Sequence, residues 1–157
     1  MAKEIEKRFI CKFVPKGLKP LDIKQGYVFH ELDKQIRVRI INDVFGSICI
    51  KFTETIERDE FEYNIPLKDA QEIFDKCELK LTKIRYKTKI GKYTVDIDKY
   101  PTGLITAEVE LDSKDDDFDL PDYLGEEVTG DYRYSNIHIA EQISSSNIDT
   151  IKKFNKF

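Results

Sequence analysis

The residues best suited to chemistry are Glu4-Ile5-Glu6-Lys7-Arg8, near the start of the chain, and Glu108-Val109-Glu110, much further on. Side chains alternate between the two faces of an extended strand, so Glu4, Glu6 and Arg8 share one face while Ile5, Lys7 and Phe9 take the other. Two carboxylates on one strand face, set opposite two more, form a hard-oxygen nest that suits a divalent cation. Elsewhere the same spacing carries cations. The guanidinium forks of Arg37, Arg39 and Arg85 suit bidentate phosphate contacts, and Lys51 and Lys83 add point charges. Carboxylates cannot bind phosphate directly, so a polyanion in such a site needs Mg²⁺ or Mn²⁺ as a bridge. The chemistry these residues favour is metal-assisted attack of water on a triphosphate.

Other chemistries lack their residues. Gly-Glu-Glu-Val-Thr-Gly at 125–130 is not a phosphate-binding P-loop, and no strand–Gly-loop–helix of that type occurs. His30 and His138 are too isolated to argue a Ser-His-Asp or Cys-His arrangement. Cys11, Cys49 and Cys77 are odd in number and share no metal-binding spacing, so they are expected as reduced, partly buried thiols. Charged residues make up 36% of the chain, yet the formal net charge is only −4. That balance argues against a generic nucleic-acid binder while leaving room for a locally basic face. The N-terminus is charged from Lys3 onward without an apolar signal core, and no stretch approaches spanning length, so the expectation is a cytoplasmic protein without membrane contact.

The elements that must position these groups are mostly strands. Period-two alternation predicts strands over 3–14, 23–29, 35–41, 47–54, 57–65, 80–88, 92–98 and 104–111. Asn42–Gly46 reads as a hairpin loop. Pro66 is expected at the first position of a helix whose Leu67, Ala70, Phe74 and Cys77 pack on the sheet. Asp112–Asp119 is an acidic loop, and Pro121–Gly125 reads as a short helical turn. Ser135 or Asn136 caps a helix to about Ile143, and Asn147 a last short one to about Phe154. With 157 residues, a single domain spanning 1–157 is expected.

One face of these strands collects nearly all the ionisable groups; the other is mainly Ile, Val, Phe and Leu. An antiparallel sheet with one wet face would account for any single strand. Across the set, however, most strands repeat the sign of charge at i and i+2. Such neighbours lie roughly 7 Å apart, which at an effective dielectric near 20 means roughly 2 kcal/mol of repulsion. Strands of opposite sign, or ligands, must offset those repulsions. A barrel closed with the charged face inward and helices outside does so, and makes a polar tunnel.

The start Glu4-Ile5-Glu6-Lys7-Arg8 resembles the ExExK signature of the CYTH superfamily, the triphosphate tunnel metalloenzymes. The likeness continues through Gln25-Gly26-Tyr27, Ile36-Arg37-Val38-Arg39, Ile50-Lys51-Phe52-Thr53, Arg58-Asp59-Glu60-Phe61-Glu62, Lys83-Ile84-Arg85-Tyr86, Asp98, Ala107-Glu108-Val109-Glu110 and Leu124–Asp131. Arg133-Tyr134-Ser135-Asn136 is similar to the tail of small bacterial members. The resemblance implies a mainly β, α+β fold: an eight-stranded antiparallel tunnel that hydrolyses triphosphates with Mg²⁺ or Mn²⁺. By position it implies metal ligands at Glu4, Glu6, Asp98, Glu108 and Glu110, with Glu60 and Glu62 as further carboxylates. It implies phosphate contacts from Arg37, Arg39, Lys51, Lys83 and Arg85, joined by Arg58 and Arg133. Arg8 and Tyr27 are the implied catalytic pair, with one departure. The family lysine falls at Arg8, and arginine stays protonated, so it binds phosphate but cannot serve as a base.

The resemblance points first to inorganic tripolyphosphate, cleaved to pyrophosphate and phosphate. A class IV-type adenylate cyclase, a thiamine triphosphatase, or a non-catalytic polyphosphate or nucleotide sensor are the alternatives. The expected partner is a small-molecule triphosphate, not a nucleic acid, and a homodimer is left open.

Overall fold

The structure, a computed structural model, describes residues 2–31, 33–53 and 57–154. Its strands are β1 (Ala2–Cys11), β2 (Pro20–His30), β3 (Lys34–Ile41), β4 (Phe45–Thr53), β5 (Glu57–Ile65), β6 (Leu79–Ile90), β7 (Tyr93–Lys99), β8 (Ile105–Glu110) and β9 (Leu124–Glu127). The helices are α1 (Leu67–Lys76) and α2 (Asn136–Phe154), with a 3₁₀ turn at Tyr132–Tyr134 before α2.

Every pairing is antiparallel, and the order β5-β4-β3-β2-β6-β7-β8-β1 is closed by β1 returning to β5. Eight strands thus form a ring, which removes the exposed edges an open sheet would carry. The short β9 completes the wall. β5 pairs with β1 only over Ala2–Ile5, and β9 takes the edge further on, pairing at Phe9 and Cys11.

The register identifies the inward face. Residues directly opposite one another point to the same side of a sheet. Arg8 faces Glu108, Glu108 faces Asp96, Arg85 faces Asp98, Tyr27 faces Arg37, Gln25 faces Arg39, and Lys51 faces Glu60. All the charged alternation therefore falls on one continuous surface, enclosed by the ring.

The apolar alternation falls outside, where it is covered. Ala70 and Cys77 of the α1 region pack on Val38 and Ile40. Two glycines let α1 approach: a Cβ at Gly46 would lie 2.6 Å from Ala70 Cβ, and one at Gly26 would lie 2.8 Å from Cys77 Sγ. Phe118 and Tyr123, on the segment after β8, cover Phe9, Val95, Ile97, Ala107 and Val109. α2 differs from an outer helix. Its Ile137, Ile139 and Ala140 pack against Tyr27, Leu81 and Tyr100, and Tyr27 and Leu81 are on the inward face by register. The start of α2 therefore stoppers one end of the barrel.

Several sequence expectations shift. β1 ends at Cys11, not near residue 14, and β2 starts at Pro20, three residues before Ile23. Pro66 is the residue before the helix, with extended ψ of 140°, so α1 begins at Leu67. Leu124 and Gly125 are strand, not helical turn, because the free edge of β1 supplies a pairing partner and Leu124 joins the core beside Phe9. α2 runs unbroken through Asn147 to Phe154; poor helix formers in the serine-rich middle each cost only tenths of a kcal/mol, roughly, against continuing the helix. The turn after β3 is tighter than expected. Asn42 and Asp43 both have φ of 54°, and Val44 N–H donates to Ile41 C=O.

Candidate active site

Strand alternation places the tunnel side chains, and cross-strand register decides their partners. Three charge groups result. In the first, β6 and β7 meet: Asp98 accepts from Lys83 Nζ at 2.9 Å and from Arg85 Nε and Nη2 at 2.8 and 2.9 Å. Lys83 also donates to Asn136 Oδ1 at 3.1 Å, and Tyr100 Oη donates to the same oxygen at 2.9 Å. Asp96 lies 3.5 Å from Arg85 and 3.0 Å from Lys87. Burial works to raise the Asp98 carboxyl, but Lys83 and Arg85 outweigh it and hold it at about 2.

In the second group Arg8 donates to Glu108 Oε1 at 2.8 Å and to the Tyr134 carbonyl at 3.1 Å. Glu108 is held well below the usual carboxylate range: burial opposes this, and the Arg8, Arg58 and Arg85 charges overcome it. The third group joins β1, β4 and β5. Lys51 Nζ is 2.7 Å from Glu60 Oε1, Arg37 is 3.6 Å from the same oxygen, and Arg58 pairs with Glu6. Glu4 lies against Glu60.

The two signs are each short of partners. Burial and then the Glu60 contact push Glu4 up to about 7. Burial and then Asp96 push Glu110 up. Burial and then the neighbouring cations Arg37 and Arg85 push Arg39 down to about 10, and Lys51 falls by burial and Arg37. Arg8 Nε, Arg37 Nε and Arg58 Nε are buried without a hydrogen-bond acceptor. Unmet buried donors of this kind are costly in an interior, and an anion in the tunnel would satisfy them.

A cavity of about 620 Å³ opens onto these groups. Its floor includes Glu6, Arg8, Arg37, Lys51 and Arg58; its upper wall is built from the β2–β3 connection and residues 129–137. The wall is tied to the floor, since Arg8 N–H donates to Thr129 Oγ1 at 3.0 Å and Val128 N–H donates to Arg8 C=O at 2.7 Å.

The fold brings Glu4, Glu6, Arg8, Arg37, Arg39, Lys51, Arg58, Glu60, Glu62, Lys83, Arg85, Asp98, Glu108 and Glu110 to the tunnel face. Glu62 and Glu110 are exposed toward an open end. Tyr27 is on the same face but is buried under α2, where its Oη accepts from Gln25 Nε2 at 3.2 Å. Arg133 is not brought there. It sits on the 3₁₀ turn with its guanidinium on Asp131, 74% exposed. Asp98 has both oxygens committed to cations, which makes it an anchor for Lys83 and Arg85 as arranged. Asp96, absent from the expected ligand set, lies opposite Glu108 and raises Glu110. Its signal was in the sequence, two residues before Asp98 on the same face. Gln25, which holds Arg39 through Oε1 at 3.0 and 3.1 Å, and Asn136 carried no such charge signal. Among the described residues, no three of His, Cys, Asp and Glu converge closely enough as arranged to enclose a metal ion.

Comparison with known proteins agrees with this geometry. The CYTH domain profile matches residues 3–144. The chain is 41% identical over 152 residues to an inorganic triphosphatase of Acetivibrio thermocellus, covering 90% of this chain and 95% of that one. It is 29% identical over 149 residues to an inorganic triphosphatase of Nitrosomonas europaea, covering 89% and 98%. A crystal structure of an inorganic triphosphatase superposes with a TM-score of 0.65 at 28% identity, covering 89% of this chain and 95% of that one. A ring of antiparallel strands with this charge register, matched over nearly its whole length, places the chain in the CYTH domain family.

Proposed function

We propose that this protein hydrolyses inorganic tripolyphosphate to pyrophosphate and phosphate with a divalent cation, Mg²⁺ or Mn²⁺. One observation carries the proposal: a single enclosed face holds cations short of anions beside carboxylates short of cations. A metal-bound polyanion supplies both deficits at once. Similarity to inorganic triphosphatases along nearly the whole chain supports the same reaction.

The residues fit a divalent cation by the chemistry of the donor set. Glu4, Glu6, Glu60, Glu108 and Glu110, with Asp96, offer hard carboxylate oxygens, and the upward displacement of Glu4 and Glu110, by burial and then by Glu60 and Asp96 respectively, is a cost to their charged forms that a bound cation would offset. When bound, the cation supplies charge neutralisation at phosphoryl oxygens and acidifies water. The chain's own side chains do the rest. Arg37, Arg58 and Lys51 line the cavity floor and hold phosphoryl oxygens, with Arg39 deeper along the same face. Asp98 fixes Lys83 and Arg85 on the tunnel face, where they add positive charge behind the cavity-lining cations. Arg8, held between Glu108 and Tyr134, clamps phosphate as a fixed cation and takes no proton. Water attacks the terminal phosphorus, the bond to the bridging oxygen breaks, and pyrophosphate leaves.

Tyr27 has no proton-transfer role here. Burial raises its hydroxyl pKa, and the stopper formed by α2 separates it from solvent. Product analysis tests the proposal: tripolyphosphate, ATP and thiamine triphosphate incubated with Mg²⁺, Mn²⁺ or EDTA, followed by ion chromatography. Phosphate and pyrophosphate in equal amounts from tripolyphosphate, only with metal, are expected. Cyclic AMP from ATP would assign a cyclase instead, and tight binding without turnover a sensor.

A further inference from the structure

The cavity mouth carries charge of the opposite sign to its floor. The floor cations Arg37 and Lys51 are only 4% and 5% exposed. At the mouth, Glu31 and Asp33 line the same cavity and are exposed, on the connection between β2 and β3. That connection is fixed by Glu31 N–H donating to Lys34 C=O at 2.7 Å. The third mouth carboxylate, Asp131, is neutralised by the Arg133 fork at 2.7 Å. Among the described residues no salt bridge engages Glu31 or Asp33, so both carboxylates stand exposed and unneutralised where they line the cavity.

Resting on the triphosphatase reading above, we propose that Glu31 and Asp33 form an anionic collar that sets substrate length by charge, admitting a triphosphate and disfavouring longer polyphosphates. Space is not the limit, because about 620 Å³ is enough for a drug-sized ligand. A triphosphate has its negative charge drawn onto the floor cations once it is in. A longer chain must keep further phosphates, each negative, between the two collar carboxylates. Like charges juxtaposed in this way suppress wrong partners more than they affect right ones. Exposed carboxylates act through solvent, so the discrimination is about tenfold and weakens as salt rises.

The test compares binding by calorimetry in EDTA, so that it reads the collar without turnover. The probes are tripolyphosphate and long-chain linear polyphosphate, the latter counted per chain end. The native protein is expected to favour tripolyphosphate about tenfold at low ionic strength, and less at high salt. The double variant Glu31→Gln/Asp33→Asn should erase the preference, leave tripolyphosphate affinity within about twofold, and keep the native melting temperature. Glu31→Lys/Asp33→Lys should reverse it. Equal native affinity for both lengths, or a preference untouched by either double variant, would overturn the collar. Binding with the expected ratio in EDTA but no phosphate release once Mg²⁺ or Mn²⁺ is supplied would overturn only hydrolysis, and failure of both probes to bind in EDTA would overturn only the collar, because hydrolysis requires the metal.

Discussion

Replacing Asp98 with asparagine should destabilise the metal-free protein by about 3–5 kcal/mol, the range for removing one partner of a buried ion pair. Asp98 has no exposed surface and receives three hydrogen bonds from two cations at 2.8–2.9 Å. An amide keeps one acceptor oxygen but turns an NH₂ toward donors, leaving Lys83 and Arg85 buried with too little negative charge. The acid side gives a second handle on the magnitude. Holding the carboxyl at about 2 in place of its ordinary 3.8 corresponds to roughly 2 kcal/mol. The folded pKa is depressed, so this stability is fully present above 3.8 and is lost as pH falls through about 2. For a domain of this size the neutral-pH loss amounts to roughly 10 °C in Tm. The assay is thermal melting of native and Asp98→Asn protein from pH 7 down to pH 2, in EDTA. The gap should be wide at neutral pH and shrink at the acid end, where Asp98 protonates itself. Tripolyphosphate should stabilise the variant more than the native protein, because it supplies the missing negative charge. A variant that melts within about 2 °C of native at pH 7, or a gap constant with pH, would refute the anchoring role.

Three further outcomes follow from the same contacts. Arg8→Ala should lower turnover roughly 10²–10³-fold, the scale for one transition-state electrostatic contact; Arg8→Lys should recover part of it, since one ammonium cannot hold Glu108 and Tyr134 C=O with Arg8's planar fork. Steady-state phosphate release measures both. Tyr27→Phe removes one hydrogen bond from Gln25 and should cost about 1 kcal/mol in urea unfolding while leaving turnover within about twofold. Glu4, raised from 4.5 to about 7, binds its proton more tightly folded than unfolded, so its stabilisation is full below 4.5 and lost as pH rises through about 7. Divalent metal must displace that proton, so the Tm gained with Mg²⁺ should grow between pH 6 and pH 8, and Glu4→Gln should flatten the rise.

What the sequence makes legible is parity. Because strands alternate with period two, Glu4, Glu6 and Arg8 had to share a face, and so did Arg37 with Arg39 and Lys83 with Arg85. Closure was legible too, since repeated like charges along separate strands needed opposite signs across from them. Partners were not. Whether Asp98 meets a metal or Lys83 depends on the register of β6 against β7, which no local pattern states. Asp96 was passed over for that reason, although it lies directly opposite Glu108. Arg133 followed a motif-like run into the expected site, yet Asp131 two residues earlier captures its guanidinium outside the tunnel. Leu124 read as helical turn because the vacancy on the edge of β1 exists only after β5 has paired elsewhere. Tyr27 kept its predicted face, but the stopper that buries it is built by α2, more than a hundred residues later in the chain.

On the proposed reading, one tunnel face binds a polyanion through its cations and a divalent metal through its carboxylates. Phosphate release from tripolyphosphate, measured as metal is titrated into EDTA-treated protein, tests it most directly. Turnover should be absent in EDTA, rise to saturation with Mg²⁺ or Mn²⁺, and require far more metal in Glu110→Gln, whose exposed carboxylate contributes little to the fold. Turnover independent of metal, no turnover with any divalent cation, or an unchanged metal requirement in Glu110→Gln would contradict it.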